Sequence, residues 1–287
     1  MASLWCRLLT ICRISAVHVH NTHTPLFYGP HGMNPVTVTP KKVILITGGS
    51  RGIGAATARL AAQHYDAVAI SYVNDRAAAD AVVAAMAGEG ITALAIQADV
   101  AQEADVLRMF ALVDASLGCI SALVNNAGVL QVQSRLEHMT AERIGRVLAT
   151  NVLGSFLCAR EAVRRMSTAH GGTGGSIVNV SSRASKLGSP GEYVDYAASK
   201  AAVDTLTIGL AKEVAAEGIR VNAVAPGLID TDIHASGGEP GRVERLKASV
   251  PMGRGGTPEE VAQAILWLLS DAASYTTGTC LEVSGGR

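Results

Sequence analysis

A tyrosine and a lysine stand at positions i and i+4, as Tyr196 and Lys200. On an α-helix this spacing places both side chains on one face. A free phenol has a pKa of about 10 and is a poor acid or base at neutral pH. A neighbouring ammonium group stabilises the phenolate and lowers that pKa, which predicts an acid/base pair. The alternative is an ordinary pair of exposed side chains on a helix.

Two serines favour the chemical interpretation. The apolar segment 177–180 is predicted to be a strand, and it ends at Ser181 and Ser182. In parallel α/β sheets, ligands bind at the edge where the strands have their carboxyl ends. We therefore expect a serine hydroxyl at this edge of the sheet.

A glycine-rich turn follows the first predicted strand, 43–47, and precedes a predicted helix. Its glycines are Gly48, Gly52 and Gly54. Residues without Cβ let the backbone approach a pyrophosphate, and the helix N-terminus offers free N–H groups. A turn that only connects two elements is the alternative, but its position favours a dinucleotide site.

Two features favour NADP over NAD. The second predicted strand ends near Asn74 without an acidic residue, although Asp75 follows closely. An acid at that position would bind the ribose diol of NAD. Arg51 lies inside the glycine turn, where its guanidinium could pair with a 2′-phosphate. The alternative for Arg51 is a solvated turn residue.

Short apolar strands alternate with helices from Lys41 onward. This alternation is typical of βαβ units, and right-handed crossovers make it a doubly wound parallel sheet of Rossmann type. We predict one α/β domain over residues 41–287. The predicted strands are 43–47, 67–73, 94–98, 122–125, 176–181, 220–225 and 280–283, and the predicted helices are 53–65, 76–89, 103–117, 141–167, 196–217 and 258–269.

Composition excludes several classes of protein. Of 287 residues, 48% are hydrophobic and 17% charged, which excludes a mostly disordered chain. The formal net charge is zero and no Lys/Arg-rich run occurs, so we expect no nucleic-acid partner. The apolar runs are too short to span a membrane. Five cysteines without a CxxC pair favour a reducing, cytoplasmic location.

Residues 1–40 differ from the rest, since they contain no Asp or Glu and are rich in histidine. We expect a flexible extension. One interpretation is a targeting peptide. Another is a metal site, but the histidines lack the spacing of a zinc motif, so we predict none. We favour a third, in which translation starts at Met33, because the globular pattern begins at Lys41.

Together with other segments, these motifs resemble the classical short-chain dehydrogenases/reductases over about residues 41–287. The segments that carry the resemblance are 47–54, 99–100, 125–128, 151, 181–182, 196–200 and 226–227. The pattern is similar to the bacterial glucose 1-dehydrogenase-like and 3-oxoacyl-carrier-protein-reductase-like branches. The resemblance implies an NAD(P)-dependent oxidoreductase that interconverts a carbonyl and a secondary alcohol.

The resemblance also implies catalytic roles. Tyr196 would be the general acid/base, and Lys200 would lower its pKa and hold the nicotinamide ribose. Ser182 would hydrogen-bond the substrate oxygen, and Asn151 would anchor a water in a proton relay. Ser182 lies one residue further from Tyr196 than in many relatives, which we interpret as an insertion in the loop 186–195.

Coenzyme contacts follow from the same resemblance. They would come from the glycine turn, from the residues that follow the third and fourth predicted strands, from the helix 196–217 and from the segment after Pro226. The implied contacts are Gly48, Ser50, Arg51, Gly52, Ile53, Gly54, Asp99, Val100, Asn126, Ala127, Gly128, Tyr196, Lys200, Pro226, Gly227, Ile229 and Thr231. Asn125 is expected to tie strands together instead.

The stretch 230–250 is polar and glycine-rich, and we expect it to be a substrate lid. For its His234 the interpretations are a substrate contact and a surface residue, and we favour the surface residue. Glu192, Tyr193 and Asp195 flank Tyr196 and predict a polar rim, which favours a small polar or hydroxylated carbonyl substrate.

Three further expectations concern assembly and rival functions. Segments 213–220 and 261–269 resemble the surfaces that build homotetramers in this family, so a homotetramer or homodimer is expected. A catalytically silent NADP-binding regulator or scaffold is the alternative function, against which the complete set of Ser182, Tyr196 and Lys200 argues. An extended-type sugar epimerase or dehydratase is a second alternative. It would carry Gly-x-x-Gly-x-x-Gly and a larger C-terminal domain, whereas the glycines of this turn are Gly48, Gly52 and Gly54, which argues against it.

Overall fold

Seven short strands pair in parallel in the computed structural model, which describes residues 41–287. Their order is β3-β2-β1-β4-β5-β6-β7. The strands are β1 Val43–Ile46, β2 Ala67–Tyr72, β3 Thr92–Gln97, β4 Ala122–Asn125, β5 Gly175–Val180, β6 Ile219–Pro226 and β7 Cys280–Val283. The expectations of a flexible extension and of a start at Met33 lie outside the described residues.

Ten α-helices cover the described part of the chain. They are α1 Gly52–Ala61, α2 Arg76–Gly88, α3 Glu103–Ser116, α4 Ala141–Leu148, α5 Gly154–Met166, α6 Ala184–Leu187, α7 Val194–Val214, α8 Ile233–Ser236, α9 Arg242–Leu246 and α10 Pro258–Leu269. Short 3-10 turns connect several of them.

The strand order reverses direction at β1. This strand pairs with β2 on one side, Val43 opposite Ala67, and with β4 on the other, Ile44 opposite Ala122. The connections after β1 and β4 therefore leave the sheet toward opposite sides, which opens a crevice at the carboxyl edge. The predicted doubly wound parallel sheet is confirmed.

Apolar side chains cover both faces of the sheet. Alternate residues of β1 point to opposite faces, so Val43 belongs to one core cluster and Ile44 to the other. The first cluster includes Phe110 of α3, and the second includes Ile265 of α10. Strands buried on both faces are continuous apolar runs, which explains why they were visible in the sequence.

Local signals fix some helix ends and miss others. Helix α10 begins at a capping box in which Thr257 and Glu260 satisfy each other's backbone N–H groups, with Pro258 in the first turn. Helix α1 ends at Ala61, before the predicted end at residue 65. The helix predicted over 141–167 is divided by a π-helical turn at Ala149–Leu153.

No helix among residues 41–287 is long and apolar enough to cross a membrane. The same residues contain no group of three or more His, Cys, Asp or Glu side chains arranged to hold a metal ion.

Candidate active site

A single cleft of about 1260 Å³ runs along the carboxyl edge of the sheet. It extends from the glycine turn after β1 to the helices α8 and α9. Every predicted site residue lines it except Gly54 and Asn151. The structure therefore brings the predicted coenzyme contacts and Ser182, Tyr196 and Lys200 into one space.

The glycine turn is set by backbone geometry. Gly48 and Gly52 have φ angles of +64° and +55°, in the left-handed region that favours glycine. A Cβ on Gly54 would lie 2.4 Å from the carbonyl oxygen of Gly48. Gly54 therefore lies beneath the turn and supports it from outside the cleft. The turn has a tight backbone whose glycines, without side chains, allow a pyrophosphate to approach closely.

Asn126 holds this turn in place. Its Nδ2 donates to the carbonyl oxygens of Thr47 and Gly48, both at 2.9 Å. The hydroxyl of Thr47 accepts from the backbone N–H groups of Asn126 and Ala127, both at 3.0 Å. Asn126 thus links the ends of β1 and β4, in addition to lining the cleft where the resemblance places a ribose.

Asn125 has the structural position expected of it. Its Nδ2 donates to Oδ1 of Asn179 on β5 at 2.9 Å and to the carbonyl of Ser155 on α5 at 3.1 Å. These bonds tie β4 to its neighbours.

The residues that bear on coenzyme choice lie at the mouth of the cleft. Arg51 is exposed at the start of α1 and makes no ion pair with any residue in 41–287. Asp75 accepts a hydrogen bond from the N–H of Ala78 at 2.9 Å and caps α2. Both residues line the cleft.

Lys200 is buried beside Tyr196. Its Nζ donates to the carbonyl of Val180 at the end of β5 at 2.8 Å, and lies 5.6 Å from the centre of the Tyr196 ring. Burial lowers the pKa of Lys200 to about 8, an effect that the carboxylate of Asp204 opposes. The ammonium form therefore still predominates at neutral pH.

The phenol of Tyr196 is protonated at neutral pH. Burial raises its pKa above the ordinary value, and a hydrogen bond with Ser182 opposes that rise. Sequence reasoning expected the ammonium of Lys200 to lower this pKa. In the structure Nζ donates to the carbonyl of Val180, and the effect of the Lys200 ammonium on this pKa stays a prediction. The site therefore holds a protonated phenol that can donate.

The two candidate serines have different positions. Ser182 lines the cleft beside Tyr196 and opposes the rise in the pKa of its phenol, and its Oγ accepts from the N–H of Ala184 at 3.1 Å. Ser181 is buried, and its Oγ donates to the backbone carbonyl of Lys200 at 3.3 Å. Ser182 is therefore the serine whose hydroxyl faces the acid/base group.

Asn151 is fully buried in the π-helical turn and does not line the cleft. Its Oδ1 accepts from the N–H of Val129 at 2.8 Å, and its Nδ2 donates to the carbonyl of Val129 and to Ser199 Oγ. The side chain thus joins the loop after β4 to α7. Such π-turns are frequent at functional sites. Its role in anchoring a water stays a prediction.

The far end of the cleft is built from ion pairs. Arg242 of α9 is bonded to Glu192 and, at 3.0 Å, to Glu239, and its guanidinium lies 5.2 Å from the centre of the Tyr193 ring. Gln133 also donates to Glu239, at 2.6 Å. The predicted lid is therefore partly helical and bound to the loop before Tyr196.

Two expectations about this end need correction. Asp195 does not lie on a polar rim, because it is buried and paired with Arg143. His234 is only partly exposed, and its Nε2 is bonded to the carbonyl of Ile229 at 2.8 Å. Glu192 does line the cleft, so the rim keeps one acidic group. Sequence reasoning missed Arg143 and Arg242, because Arg143 pairs with Asp195 and Arg242 pairs with Glu192, which lie 52 and 50 residues away along the chain.

Comparisons with known proteins agree with this geometry. A family model described as enoyl-(acyl carrier protein) reductase matches residues 48–287. The chain is 59% identical to an uncharacterised oxidoreductase, YgfF, of Escherichia coli K12, over 85% of this chain and 99% of the relative. It is 41% identical to a 2,5-dichloro-2,5-cyclohexadiene-1,4-diol dehydrogenase of Sphingobium indicum, over 85% of this chain and 96% of that one.

A solved structure is also similar. The short-chain type dehydrogenase/reductase from Mycobacterium marinum superposes with a TM-score of 0.80 at 37% identity, and the match covers 85% of this chain and 94% of that chain.

Proposed function

The chain belongs to the short-chain dehydrogenase/reductase family, and on that premise we propose that it interconverts a small hydroxylated carbonyl compound and the corresponding secondary alcohol with NADP as preferred coenzyme. The observation that carries this proposal is the position of Ser182, Tyr196 and Lys200 in the cleft that also contains the glycine turn.

The residues present fit a dinucleotide. Gly48 and Gly52 have positive φ angles that favour glycine, both line the cleft, and helix α1 begins at Gly52. The proposed ribose and adenine contacts are Asn126, Ala127, Gly128, Asp99 and Val100, and those near the nicotinamide are Pro226, Gly227, Ile229 and Thr231. When bound, the nicotinamide supplies or accepts the hydride.

Tyr196 handles the proton in this proposal. In carbonyl reduction its O–H bond breaks, the proton goes to the carbonyl oxygen, and a secondary alcohol and a phenolate result. The hydroxyl of Ser182 donates to the same carbonyl oxygen and positions it. The ammonium of Lys200 stabilises the phenolate that forms. In alcohol oxidation the phenolate takes the proton back.

The preference for NADP rests on two side chains. Arg51 has a guanidinium without an acidic partner in the described chain, which suits a 2′-phosphate. Asp75 would repel that phosphate, but its carboxylate is engaged in capping α2. We propose that Arg51 binds the phosphate and that Asp75 leaves room for it.

The preference for a hydroxylated substrate rests on the far end of the cleft. Glu192 lines it; its Oε2 accepts a hydrogen bond from Arg242, and its Oε1 lies 3.7 Å from Nη2 of Arg245. A carboxylate there favours substrates that donate from hydroxyl groups. The relative in Sphingobium indicum is named for a cyclic diol.

We also propose that the protein is a homotetramer or homodimer. Large apolar side chains are half exposed on two helices, Phe156 on α5 and Trp267 on α10. Contact with a second copy would cover them. Sedimentation velocity distinguishes these assemblies from a monomer, which would contradict the proposal.

The test is coenzyme binding followed by turnover. NADPH and NADH are titrated separately by nicotinamide fluorescence, and the preferred coenzyme is then offered hydroxyketones, a simple diketone and a 3-oxoacyl thioester. We expect tight NADPH binding, with the hydroxyketones oxidising it fastest. The variant Arg51→Gln should weaken NADPH binding about 10-fold, the effect of losing about 1.4 kcal/mol, and leave NADH binding unchanged.

Two other outcomes would contradict the proposal. Tight binding without turnover of any carbonyl or alcohol would favour a silent NADP-binding regulator. If NADPH and NADH bind with equal Kd, and Arg51→Gln changes neither value, the proposed preference for NADP is wrong.

A further inference from the structure

An ion pair joins α4 to α7 next to the proposed proton donor. Nε of Arg143 donates to Oδ2 of Asp195 at 2.8 Å, and Nη2 donates to Oδ1 at 3.3 Å. The two side chains are 14% and 2% exposed. A two-point contact between a guanidinium and a carboxylate fixes orientation as well as distance. Neither residue lines the cleft, so neither can touch the substrate directly.

Asp195 is also bonded to Tyr196 itself. Its Oδ1 accepts from the backbone N–H of Tyr196 at 2.9 Å. The residue that precedes α7, Tyr193, provides no side-chain cap, so this carboxylate satisfies one of the free N–H groups of the first turn. The bond holds the first turn of α7, from which the phenol of Tyr196 projects.

Arg143 has a third contact. Its Nη1 donates to the carbonyl of Val132, in the loop that follows β4. The same loop lines the cleft at Val129 and Leu130. Helix α4, which carries Arg143, runs directly into the π-helical turn of Asn151, whose amide pairs with Val129. One guanidinium therefore connects the cleft loop, the π-turn and the helix of the acid/base residue.

We propose that Arg143 and Asp195 are a positioning pair that fixes the phenol of Tyr196 relative to Ser182 and Lys200. This inference rests on the proposed function, in which Tyr196 moves the proton. The physical basis is that proton transfer depends steeply on geometry, and a displacement of about 1 Å can reduce a rate about 100-fold.

A purely structural role makes a different prediction. Removing one partner leaves a buried, unpaired charge and destabilises the fold. Removing both charges together relieves most of that cost. If the pair only stabilised the fold, the double variant Arg143→Met/Asp195→Asn would recover both stability and turnover. If the pair positions Tyr196, stability recovers and turnover does not, because the two-point contact is still lost.

The experiment compares Arg143→Met, Asp195→Asn, the double variant and Arg143→Lys with wild type and Tyr196→Phe. Three quantities are measured: Tm, the Kd of NADPH by fluorescence, and kcat and KM on the best substrate of the panel. We expect the double variant to lose roughly 10- to 100-fold in kcat while Tm and the Kd of NADPH approach wild-type values. Arg143→Lys keeps the positive charge but loses the two-point contact, so its kcat should lie between those of wild type and the double variant.

A matched control is Arg160→Met. Arg160 pairs with Glu103 and so joins α5 to α3, away from the cleft. This variant should keep the kcat of wild type.

A readout that needs no turnover separates the two proposals. Ultraviolet difference titration of the full chain against Tyr196→Phe isolates the ionisation of the Tyr196 phenol. The double variant should shift that titration, because the contacts of the phenol with Ser182 and Lys200 change. The proposal of a positioning pair is refuted if the wild-type protein converts a substrate of the panel and the double variant has the same kcat and the same titration of the Tyr196 phenol. If the wild-type protein converts no substrate of the panel, the proposed function fails. The phenol titration then decides by itself whether Arg143 and Asp195 position Tyr196.

Discussion

The two ends of the cleft are built in different ways. At the coenzyme end the shape comes from backbone: glycines with positive φ, a close approach beneath Gly54, and hydrogen bonds from Asn126 to main-chain oxygens. At the substrate end it comes from ion pairs between side chains, such as that of Arg242 with Glu192, which is 50 residues away in sequence. Binding at the first end should therefore be weakened when a methyl group is added to a glycine, whereas binding at the second end should be weakened when one member of an ion pair is removed.

The largest difference between the ends should appear in Tyr196→Phe. This change removes the proton donor and leaves the coenzyme end intact. We expect kcat to fall by about 10²- to 10⁴-fold, the usual contribution of general acid catalysis. The rate of NADPH oxidation on the best substrate measures it. Tyr275→Phe, which removes the same hydroxyl from a fully exposed residue, should keep wild-type activity. Wild-type turnover by Tyr196→Phe would contradict the role of the phenol.

At the coenzyme end, the sharpest test is one added methyl group in Gly54→Ala. Its Cβ would lie 2.4 Å from the carbonyl oxygen of Gly48, so the turn must shift. Overpacking of about 1–3 kcal/mol corresponds to roughly 5- to 150-fold weaker NADPH binding. Fluorescence titration measures the Kd. Gly88→Ala, where a Cβ meets nothing within 4 Å, is the control. Equal binding by both variants would show that the turn is not set by backbone packing.

At the substrate end, the matching test is Arg242→Gln. Arg242 is bonded to Glu192 and Glu239 and is only 12% exposed. Its loss should loosen α9 from the loop before Tyr196 and raise the KM of the carbonyl substrate about 10-fold, equivalent to about 1.4 kcal/mol, with NADPH binding unchanged. Steady-state kinetics measure the change.

A control shares a partner with Arg242. Arg245 also pairs with Glu239, but it is 52% exposed, and exposed pairs contribute little. Arg245→Gln should therefore leave KM close to the wild-type value. If Arg242→Gln changes the Kd of NADPH as much as KM, the two ends are not independent.

The smallest effect concerns pH. Burial lowers the pKa of Lys200 to about 8. As pH rises through that value the ammonium loses its proton, and the positive charge that stabilises the phenolate of Tyr196 is lost. The rate of carbonyl reduction should therefore be highest below pH 8 and fall to about half at that pH. A pH profile of kcat measures it. In Lys200→Arg the charge persists, so a decline at the same pH would contradict this assignment.

The coenzyme end could be predicted from the sequence because its signals are local. Residues 43–61 contain an apolar strand, a glycine turn and a helix in succession, and the local sequence is enough to predict each of them. The parallel sheet was equally visible, since its inner strands are buried on both faces. The spacing of Tyr196 and Lys200 is local as well. The direction of the Tyr196 pKa shift was not visible, because burial depends on the whole fold.

The substrate end could be predicted only in outline. Its polar lid was expected, but the short helices α8 and α9 were not. Helix α9 is held by ion pairs of Arg242 with Glu192 and Glu239, which helical periodicity does not indicate. The π-turn that buries Asn151 interrupts a pattern that looks like one continuous helix. Asp195 looked like a surface acid beside Tyr196. Nothing in its local sequence indicates Arg143, which lies before a strand, two helices and several loops.

The most direct test of the account is a fluorescence titration of Tyr196→Phe with NADPH. Tyr196 is among the implied coenzyme contacts, but if backbone builds the coenzyme end and the Tyr196 hydroxyl acts in proton transfer, this variant binds NADPH with a Kd close to that of wild type although its turnover is lost. A Kd weakened in proportion to the loss of turnover would contradict the account, since it would show that coenzyme binding and proton transfer depend on the same group.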